Sequence, residues 1–211
     1  MIEEMKNKDG GWQANIEYFE DYVIKTPKTE EEIREKISLH YISVSCEEKI
    51  DEKIKKLKND WNNSINLVKS GKIPLKLLAF PEFLENGKIK QRRVKMLYDK
   101  FKDLVSENKI EESKKLVDKV IDFILTLWKY GVQEITFKFY SEMGLLDEKI
   151  VLVDLGELTN DKEMIKKIIQ GKKPLEDLRR FHHDEVLDYY QEQVKKRLTL
   201  EKLEKCWEIN L

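Results

Sequence analysis

The chain of 211 residues is poor in the residues that build metal and redox sites. Its two cysteines, Cys46 and Cys206, lie far apart and do not form a Cys-x-x-Cys spacing. Together with only three histidines they are too sparse for a structural zinc site. The sequence also lacks an apolar segment typical of a signal peptide and any run close to the roughly 20 apolar residues of a membrane-spanning helix. We therefore expect a protein of the reducing cytoplasm.

A surplus of charge of either sign is also missing. The 40 lysines and arginines are balanced by 41 aspartates and glutamates, which gives a formal net charge of −1. The whole chain is therefore not expected to attract nucleic acid or an acidic membrane, although a local patch could still bind one. A length of 211 residues, of which 40% are hydrophobic, is enough for one domain or two small lobes around a substantial core.

The first part of the chain carries strand and helix patterns in turn. The segment "ANIEYFEDYVIKTP", from Ala14 to Pro27, predicts two short strands around Glu20-Asp21. Thr29 followed by "EEEIREKI" predicts the start of a helix, with a threonine N-cap and acids in the first turn. A second helix is expected from about Cys46 to Lys69, where apolar residues recur at helical spacing.

Further strands and the most apolar helix follow. An apolar strand is predicted from Leu75, then a hairpin at Asn86-Gly87, because both residues tolerate positive φ. We expect the return strand to run to about Met96 and a helix to begin after Tyr98. Residues 110–130 predict a helix that is apolar on nearly all sides and is therefore buried.

The last part of the chain predicts a hairpin and a helical tail. The segment "ITFKFY" alternates as a strand does, and "MGLLDEKIVLVD" predicts a hairpin that turns at residues 147–149. Helices are then expected at about 161–170, 174–198 and 199–208.

This order of elements, together with particular residues, resembles the protein kinase-like superfamily, especially its small prokaryotic and aminoglycoside-phosphotransferase-like branches. Lys25 in "YVIK" is similar to the strand lysine that holds the α- and β-phosphates of the nucleotide. Asp154 in "VLVDLGE" is similar to the magnesium-binding aspartate of the Asp-Phe-Gly motif, with Leu155 in place of the aromatic residue. The buried helix before Gly131 is similar to the large helix that leads into the catalytic loop.

The resemblance implies an α+β, two-lobed kinase-like fold, with a strand-rich N-lobe in residues 1–97 and a small helical C-lobe in residues 98–211. It also implies ATP and magnesium as cofactors and transfer of a phosphoryl group to an acceptor. Such transfer depends mainly on positioning and charge neutralisation, and magnesium prefers the oxygen ligands that a carboxylate offers. A small-molecule acceptor is favoured, because the tail after Asp161 is short for a protein-docking lobe.

The sequence departs from the family pattern just before the hairpin. The usual spacing back from Asp154 puts Thr136 at the position of the catalytic base and Ser141 at that of the second metal ligand. Neither is the expected residue. Glu134 and Glu142 lie within two residues and are the candidates for the base and the second metal ligand. A glutamate is one methylene longer than the usual aspartate, however, and a misplacement on the order of 1 Å can cost about a hundredfold in rate.

The part of the pattern that would cover the phosphates is also reduced. The glycine-rich loop is represented only by Gly10-Gly11, and Asn15 is the candidate nucleotide-side residue next to it. These departures leave open a second interpretation, in which the kinase-like fold is catalytically inactive and serves as a nucleotide-binding or scaffold protein.

Simpler roles compete with each of these assignments. Lys25 could be an exposed residue that closes a hairpin strand, and Asp154 could cap the helix near Asp161 or bind turn amides. The segment "ITFKFY" would be an ordinary strand in that case, whereas a working kinase-like site needs an irregular loop there. The basic segment "KIKQRRVK", Lys88 to Lys95, could contact nucleic-acid phosphates, but a solvated hairpin arm is favoured.

Overall fold

The computed structural model describes residues 6–8, 11–40, 47–171, 174 and 183–207. Within them the chain is α+β, as predicted, and its sheets contain only antiparallel strand pairs. No helix in this part of the chain is long and apolar enough to cross a membrane.

A five-stranded sheet forms from the first part of the chain. Its strands are β1 (Lys6–Lys8), β2 (Ala14–Tyr18), β3 (Tyr22–Pro27), β4 (Glu82–Phe83) and β5 (Ile89–Arg92), in the order β1-β2-β3-β5-β4. The predicted hairpin between Ala14 and Pro27 is confirmed as β2 and β3. Lys25 lies in the central strand, opposite Ile16 on one side and Ile89 on the other.

Two helices separate β3 from β4. They are α1 (Glu30–His40) and α2 (Glu47–Lys69), and both were predicted from the sequence. The start of α1 is fixed by a reciprocal cap: the hydroxyl of Thr29 accepts from the amide of Glu32 at 3.2 Å, and the Glu32 carboxylate accepts from the amide of Thr29 at 2.7 Å. Two otherwise unpaired amides are thereby satisfied.

The prediction of an apolar strand from Leu75 is wrong. Residues 75–77 form a short 3₁₀ turn, and Ala79 and Phe80 both have a φ of 53°, which a ladder does not accommodate. The strand therefore begins only at Glu82. The hairpin around Asn86-Gly87 is confirmed, with φ of 56° and 72°, but its loop spans residues 84–88 rather than two residues.

The rest of the chain is built around one long helix. The elements are β6 (Lys95–Met96), α3 (Leu97–Ser106), α4 (Ile110–Lys129), β7 (Gln133–Glu134), α5 (Phe139–Glu142), β8 (Met143–Leu146), β9 (Lys149–Leu152), β10 (Leu158–Thr159), α6 (Lys162–Gln170), α7 (Asp184–Arg197) and α8 (Leu200–Trp207). Helices α3, α7 and α8 all contact α4. The predicted burial of α4 is confirmed, because nine of its residues are buried, among them the fully enclosed Trp128.

The alternating segment "ITFKFY" is not a strand. Residues 135 and 136 bend, Phe137 has a φ of 55°, and the chain then enters the single turn of α5. Phe137, Phe139 and Tyr140 are all buried, so the apolar residues fill the core from an irregular loop instead of lining one face of a sheet. The hairpin after it is confirmed as β8 and β9, with Asp147 and Glu148 at positive φ in the turn.

The helical tail agrees with the sequence in outline. Helices α6 and α8 lie where they were expected, whereas the helix predicted over 174–198 is seen from Asp184 onward, and residues 175–182 lie outside the described residues. The division into lobes at residue 97 stays a prediction.

Gly144 provides a test of how closely β8 packs against β6. A Cβ at this position would lie 2.3 Å from Cγ2 of Val94 and 2.9 Å from the carbonyl oxygen of Lys95. We expect Gly144→Ala to lower the free energy of unfolding by about 1–3 kcal/mol, the usual cost of overpacking. Urea denaturation measures the change. Gly11→Ala is the control, because nothing lies within 4 Å of a Cβ there. Equal stability of the two variants would contradict this packing.

Candidate functional site

The side chain of Lys25 crosses from the central strand β3 to the end of β9. Only 7% of the residue is exposed, and its Nζ donates to the carbonyl oxygen of Val153 at 2.6 Å. That carbonyl belongs to the peptide bond that leads into Asp154. Two residues selected from the sequence, 129 positions apart, therefore meet at one peptide unit, and Lys25 is not an exposed strand end.

Asp154 follows β9 in a tight, half-buried turn. Its Oδ1 accepts a hydrogen bond from the amide of Gly156 at 2.9 Å, so the expected role in binding turn amides is present. The expected helix cap is not, because Asp161 caps α6 instead by accepting from the amide of Met164 at 3.0 Å.

The glycine of this turn is required by the packing around it. A Cβ on Gly156 would lie 2.1 Å from Oε1 of Gln13 and 2.9 Å from the ring of Trp61. The amide nitrogen of Gln13 in turn donates to the carbonyl oxygens of Gly156 and Leu57, at 3.3 and 3.0 Å. The turn that carries Asp154 is thus held against α2 by a buried side chain.

Glu142 reaches the same peptide unit from the other side. Its carbonyl oxygen accepts from the amides of Val153 and Asp154, at 2.8 and 3.2 Å. Its side chain is 8% exposed; Oε1 accepts from the hydroxyl of Ser141 at 3.0 Å, while Oε2 accepts no hydrogen bond from the described residues. Burial, and then the negative charges of Asp154 and Glu134, raise the pKa of Glu142 well above its usual range. A hydrogen bond to Asp154, which Glu142 can donate only when it is protonated, raises this pKa as well.

Glu134 is fully buried at the end of β7 and holds the loop that follows. Its two carboxylate oxygens accept from the amides of Thr136 and Phe137, at 2.5 and 2.7 Å. Burial raises the pKa of Glu134 to about 7, although the hydrogen bonds from Thr136 act in the opposite direction. This arrangement gives the side chain a structural task, and its role as a catalytic base stays a prediction.

The carboxyl groups around Asp154 form one electrostatic unit. Charges on Asp154 and Glu157 raise the pKa of both Glu134 and Glu142. Carboxyl groups whose pKa is raised in this way are common at functional sites. Their mutual repulsion destabilises the protein as long as no cation is bound between them. Among the described residues, however, no three His, Cys, Asp or Glu side chains are grouped closely enough to hold a metal ion by themselves. Any metal here would need ligands from water or from a bound molecule.

Asn15 is placed near the edge of this region but has a structural partner. It lies in β2 opposite Thr26, and its Nδ2 donates to Oε1 of Glu32 in the first turn of α1, at 2.8 Å. Its assignment to nucleotide binding stays a prediction. Of the pair Gly10-Gly11, Gly10 lies outside the described residues, and the carbonyl oxygen of Gly11 accepts from Lys36 Nζ at 3.2 Å.

The basic segment from Lys88 to Lys95 is largely engaged within the protein. Lys90 pairs with Glu82 at 3.5 Å, Lys95 pairs with Asp103 at 2.5 Å, and Arg93 donates to the carbonyl oxygen of Phe19 at 3.0 Å. These contacts favour the hairpin-arm interpretation over a nucleic-acid surface.

Two residues that matter at this site were not found from the sequence. Gln13 clamps the turn of Asp154, and the fully buried hydroxyl of Ser64 in α2 both accepts from the amide of Leu158 and donates to its carbonyl oxygen, at 2.7 and 2.8 Å. Ser64 could have been identified from the sequence, because it is a polar residue between Trp61 and Ile65 on a helix face that is otherwise apolar.

No protein-family model matches the chain, and no curated protein matches it. A family assignment therefore depends on the residues described above.

Substitution of Glu142 tests the electrostatics of this site. The pKa of Glu142 is higher in the folded than in the unfolded chain, so the folded state loses stability relative to the unfolded state as the pH rises above about 4.5. Glu142→Gln removes this loss and places a neutral amide beside Asp154. We expect the variant to be more stable than the wild type at pH 8, because the wild type must then either hold an ionised Glu142 in the folded chain or keep it protonated against the pH.

The advantage of Glu142→Gln should shrink toward zero at pH 4. Chemical denaturation across this pH range measures it, with Glu148→Gln, an exposed residue of the hairpin turn, as the control. A stabilisation that is independent of pH would contradict the proposed charge repulsion.

Proposed function

We propose that the protein is a kinase-like phosphotransferase that binds ATP with magnesium beside Lys25, Asp154 and Glu142. The observation that carries the proposal is the hydrogen bond from Lys25 to the carbonyl of Val153. It brings the lysine of the central strand beside the peptide bond that leads into Asp154, and a kinase-like nucleotide site requires these two residues to lie close together.

The lysine has the chemistry needed for a phosphate. An ammonium group has three N–H donors, and only one of them is used by the carbonyl of Val153. No ion pair among the described residues includes Lys25. A buried cation without a carboxylate partner is costly, and an anionic ligand removes that cost. Lys25 would therefore bind and orient nucleotide phosphates.

The two carboxylates at this site suit magnesium better than a metal whose ligands must all come from the protein. Magnesium commonly takes one or two carboxylates and completes its shell with water and phosphate oxygens. Asp154 and Glu142 supply two carboxylates, and Oε2 of Glu142 is buried and accepts no hydrogen bond from the described residues. When bound, magnesium would neutralise phosphate charge and hold the phosphates in place.

The shape of residues 135–140 also supports this function. A kinase-like site needs an irregular loop at this position, whereas an unrelated fold would be free to extend the alternating sequence as a strand. The segment forms a bend and the single turn of α5, held by the carboxylate of Glu134. The five-stranded sheet and the helices around α4 are the parts that would form the N-lobe and the C-lobe.

A second candidate function is nucleotide binding without transfer. Both oxygens of Glu134 accept backbone amides, and the sequence from Ile135 to Ser141 contains no Asp or Glu that could orient an acceptor hydroxyl. The kinase-like fold would then be a scaffold that binds ATP without transferring phosphate. If transfer does occur, a small-molecule acceptor is favoured.

Calorimetric titration of ATP, with and without magnesium, tests the proposed site. We expect the wild type to bind ATP in a magnesium-dependent manner. Binding should be at least tenfold weaker in Asp154→Asn, because this variant removes a metal ligand. It should also be at least tenfold weaker in Lys25→Met, because this variant removes the phosphate donor. Asp147→Asn in the exposed hairpin turn is the control and should bind as the wild type does.

The same samples separate the two candidate functions. ADP formation above the rate without protein, and lost in Asp154→Asn, supports the phosphotransferase; intact binding without ADP formation supports the second candidate. Absence of ATP binding by the wild type, or binding that ignores both substitutions, would overturn the proposal.

A further inference from the structure

A second candidate site lies away from the carboxyl cluster, between α4, α7 and α8. It is a cavity of about 710 Å³, within the range of small-molecule sites. Residues from the last two turns of α4, the end of α7 and the exposed side of α8 line it. None of the lining residues is used by the proposed nucleotide site.

The lining carries a marked local excess of positive charge. Arg197 is already paired, with Asp118 at 3.0 Å and with Asp122, so its charge is fully compensated. The remaining cations of the lining are Lys129, Lys196, Lys202 and Lys205, and none of them has an ion-pair partner among the described residues. The acids of the lining are Asp122 and Glu201, so five cations face two carboxylates.

This excess contrasts with the composition of the chain. Positive and negative residues are balanced overall, and exposed lysines elsewhere, such as Lys56 and Lys95, are paired with carboxylates. Four unpaired ammonium groups around one cavity repel one another, and a bound anion removes that repulsion. The charges therefore favour an anionic ligand.

The size and composition of the cavity indicate what kind of anion would bind there. Single-stranded nucleic acid is usually held by aromatic side chains on which its bases stack. None of the described residues that line the cavity is aromatic. Two threonines, Thr126 and Thr199, are present, but their hydroxyls bond to the helix backbone. A compact ligand with several closely spaced phosphate groups matches a small cavity with four flexible ammonium donors.

We propose that the cavity between α4, α7 and α8 binds a compact polyanion, a small molecule or headgroup that carries two or more phosphate groups. Lys129 and Lys196 contact it from α4 and α7, and Lys202 and Lys205 contact it from α8. This site is independent of the nucleotide site at Asp154.

Isothermal titration of the full chain with inositol hexakisphosphate and with tripolyphosphate, in magnesium-free buffer, tests the proposal. We expect both probes to bind the wild type. The double variant Lys129→Gln/Lys196→Gln should bind at least tenfold more weakly, because two of the four contacts are removed. The same double variant should keep the magnesium-dependent ATP binding of the wild type, because neither lysine belongs to the nucleotide site, so the two proposals can fail separately.

The chain offers a closely matched control. Lys119→Gln/Lys195→Gln changes the same two helices by the same charge, and both lysines are exposed outside the cavity. The control should retain binding; an equal loss in both double variants would show only diffuse attraction and overturn the proposal, as would no binding by the wild type. Because all four lysines are exposed, thermal unfolding should confirm that each variant folds.

A vesicle experiment distinguishes the two sources of such phosphates. Sedimentation with phosphatidylcholine vesicles that contain a phosphoinositide bisphosphate, and not with phosphatidylcholine alone, assigns a lipid headgroup. Binding of the soluble probes without sedimentation assigns a free polyphosphate. In both cases Lys129→Gln/Lys196→Gln should weaken the observed interaction at least tenfold.

Discussion

The hydrogen bond between Lys25 and the carbonyl of Val153 is the constraint on which the candidate active site depends. It fixes the distance between the central strand of the five-stranded sheet and the end of β9, two elements that share no strand pairing. Burying an ammonium group is expensive, and one carbonyl compensates only part of that cost. A methionine could fill the same space without losing solvation, but it could not donate to the carbonyl of Val153.

The buried carboxyl groups around Asp154 also lower the stability of the folded chain. Glu142 and Glu134 are buried close to Asp154, and their raised pKa values report that the folded chain resists holding all of these charges at once. Only the charge of Glu134 is compensated by two backbone amides. A cation bound between Glu142 and Asp154 would turn the repulsion into attraction. Strain of this kind is commonly retained where binding requires it.

The sequence predicted the elements with strong local signals and failed where tertiary contacts decide the backbone. The Thr29 cap, the β2–β3 hairpin and the buried helix α4 depend on periodicity and on nearby side chains, so they could be found. The segment from Ile135 alternates as well as any strand, yet the distant strand β10 and the carboxylate of Glu134 determine its course. Lys25 and Asp154 were selected from short motifs, and their roles stay predictions, whereas Gln13 gives no local pattern, because its partners lie 44 and 143 residues away.

Two buried polar side chains tie α2 to the turn that carries Asp154. Gln13 joins the carbonyl of Leu57 to that of Gly156, and Ser64 bonds both backbone groups of Leu158. A displacement of α2 would break these bonds or carry residues 156–158 with it, and Asp154 is tied to the amide of Gly156. In a hydrogen-exchange experiment the amides of Leu158 and of the middle of α2 should consequently open together, as one cooperative unit that spans nearly a hundred residues of sequence.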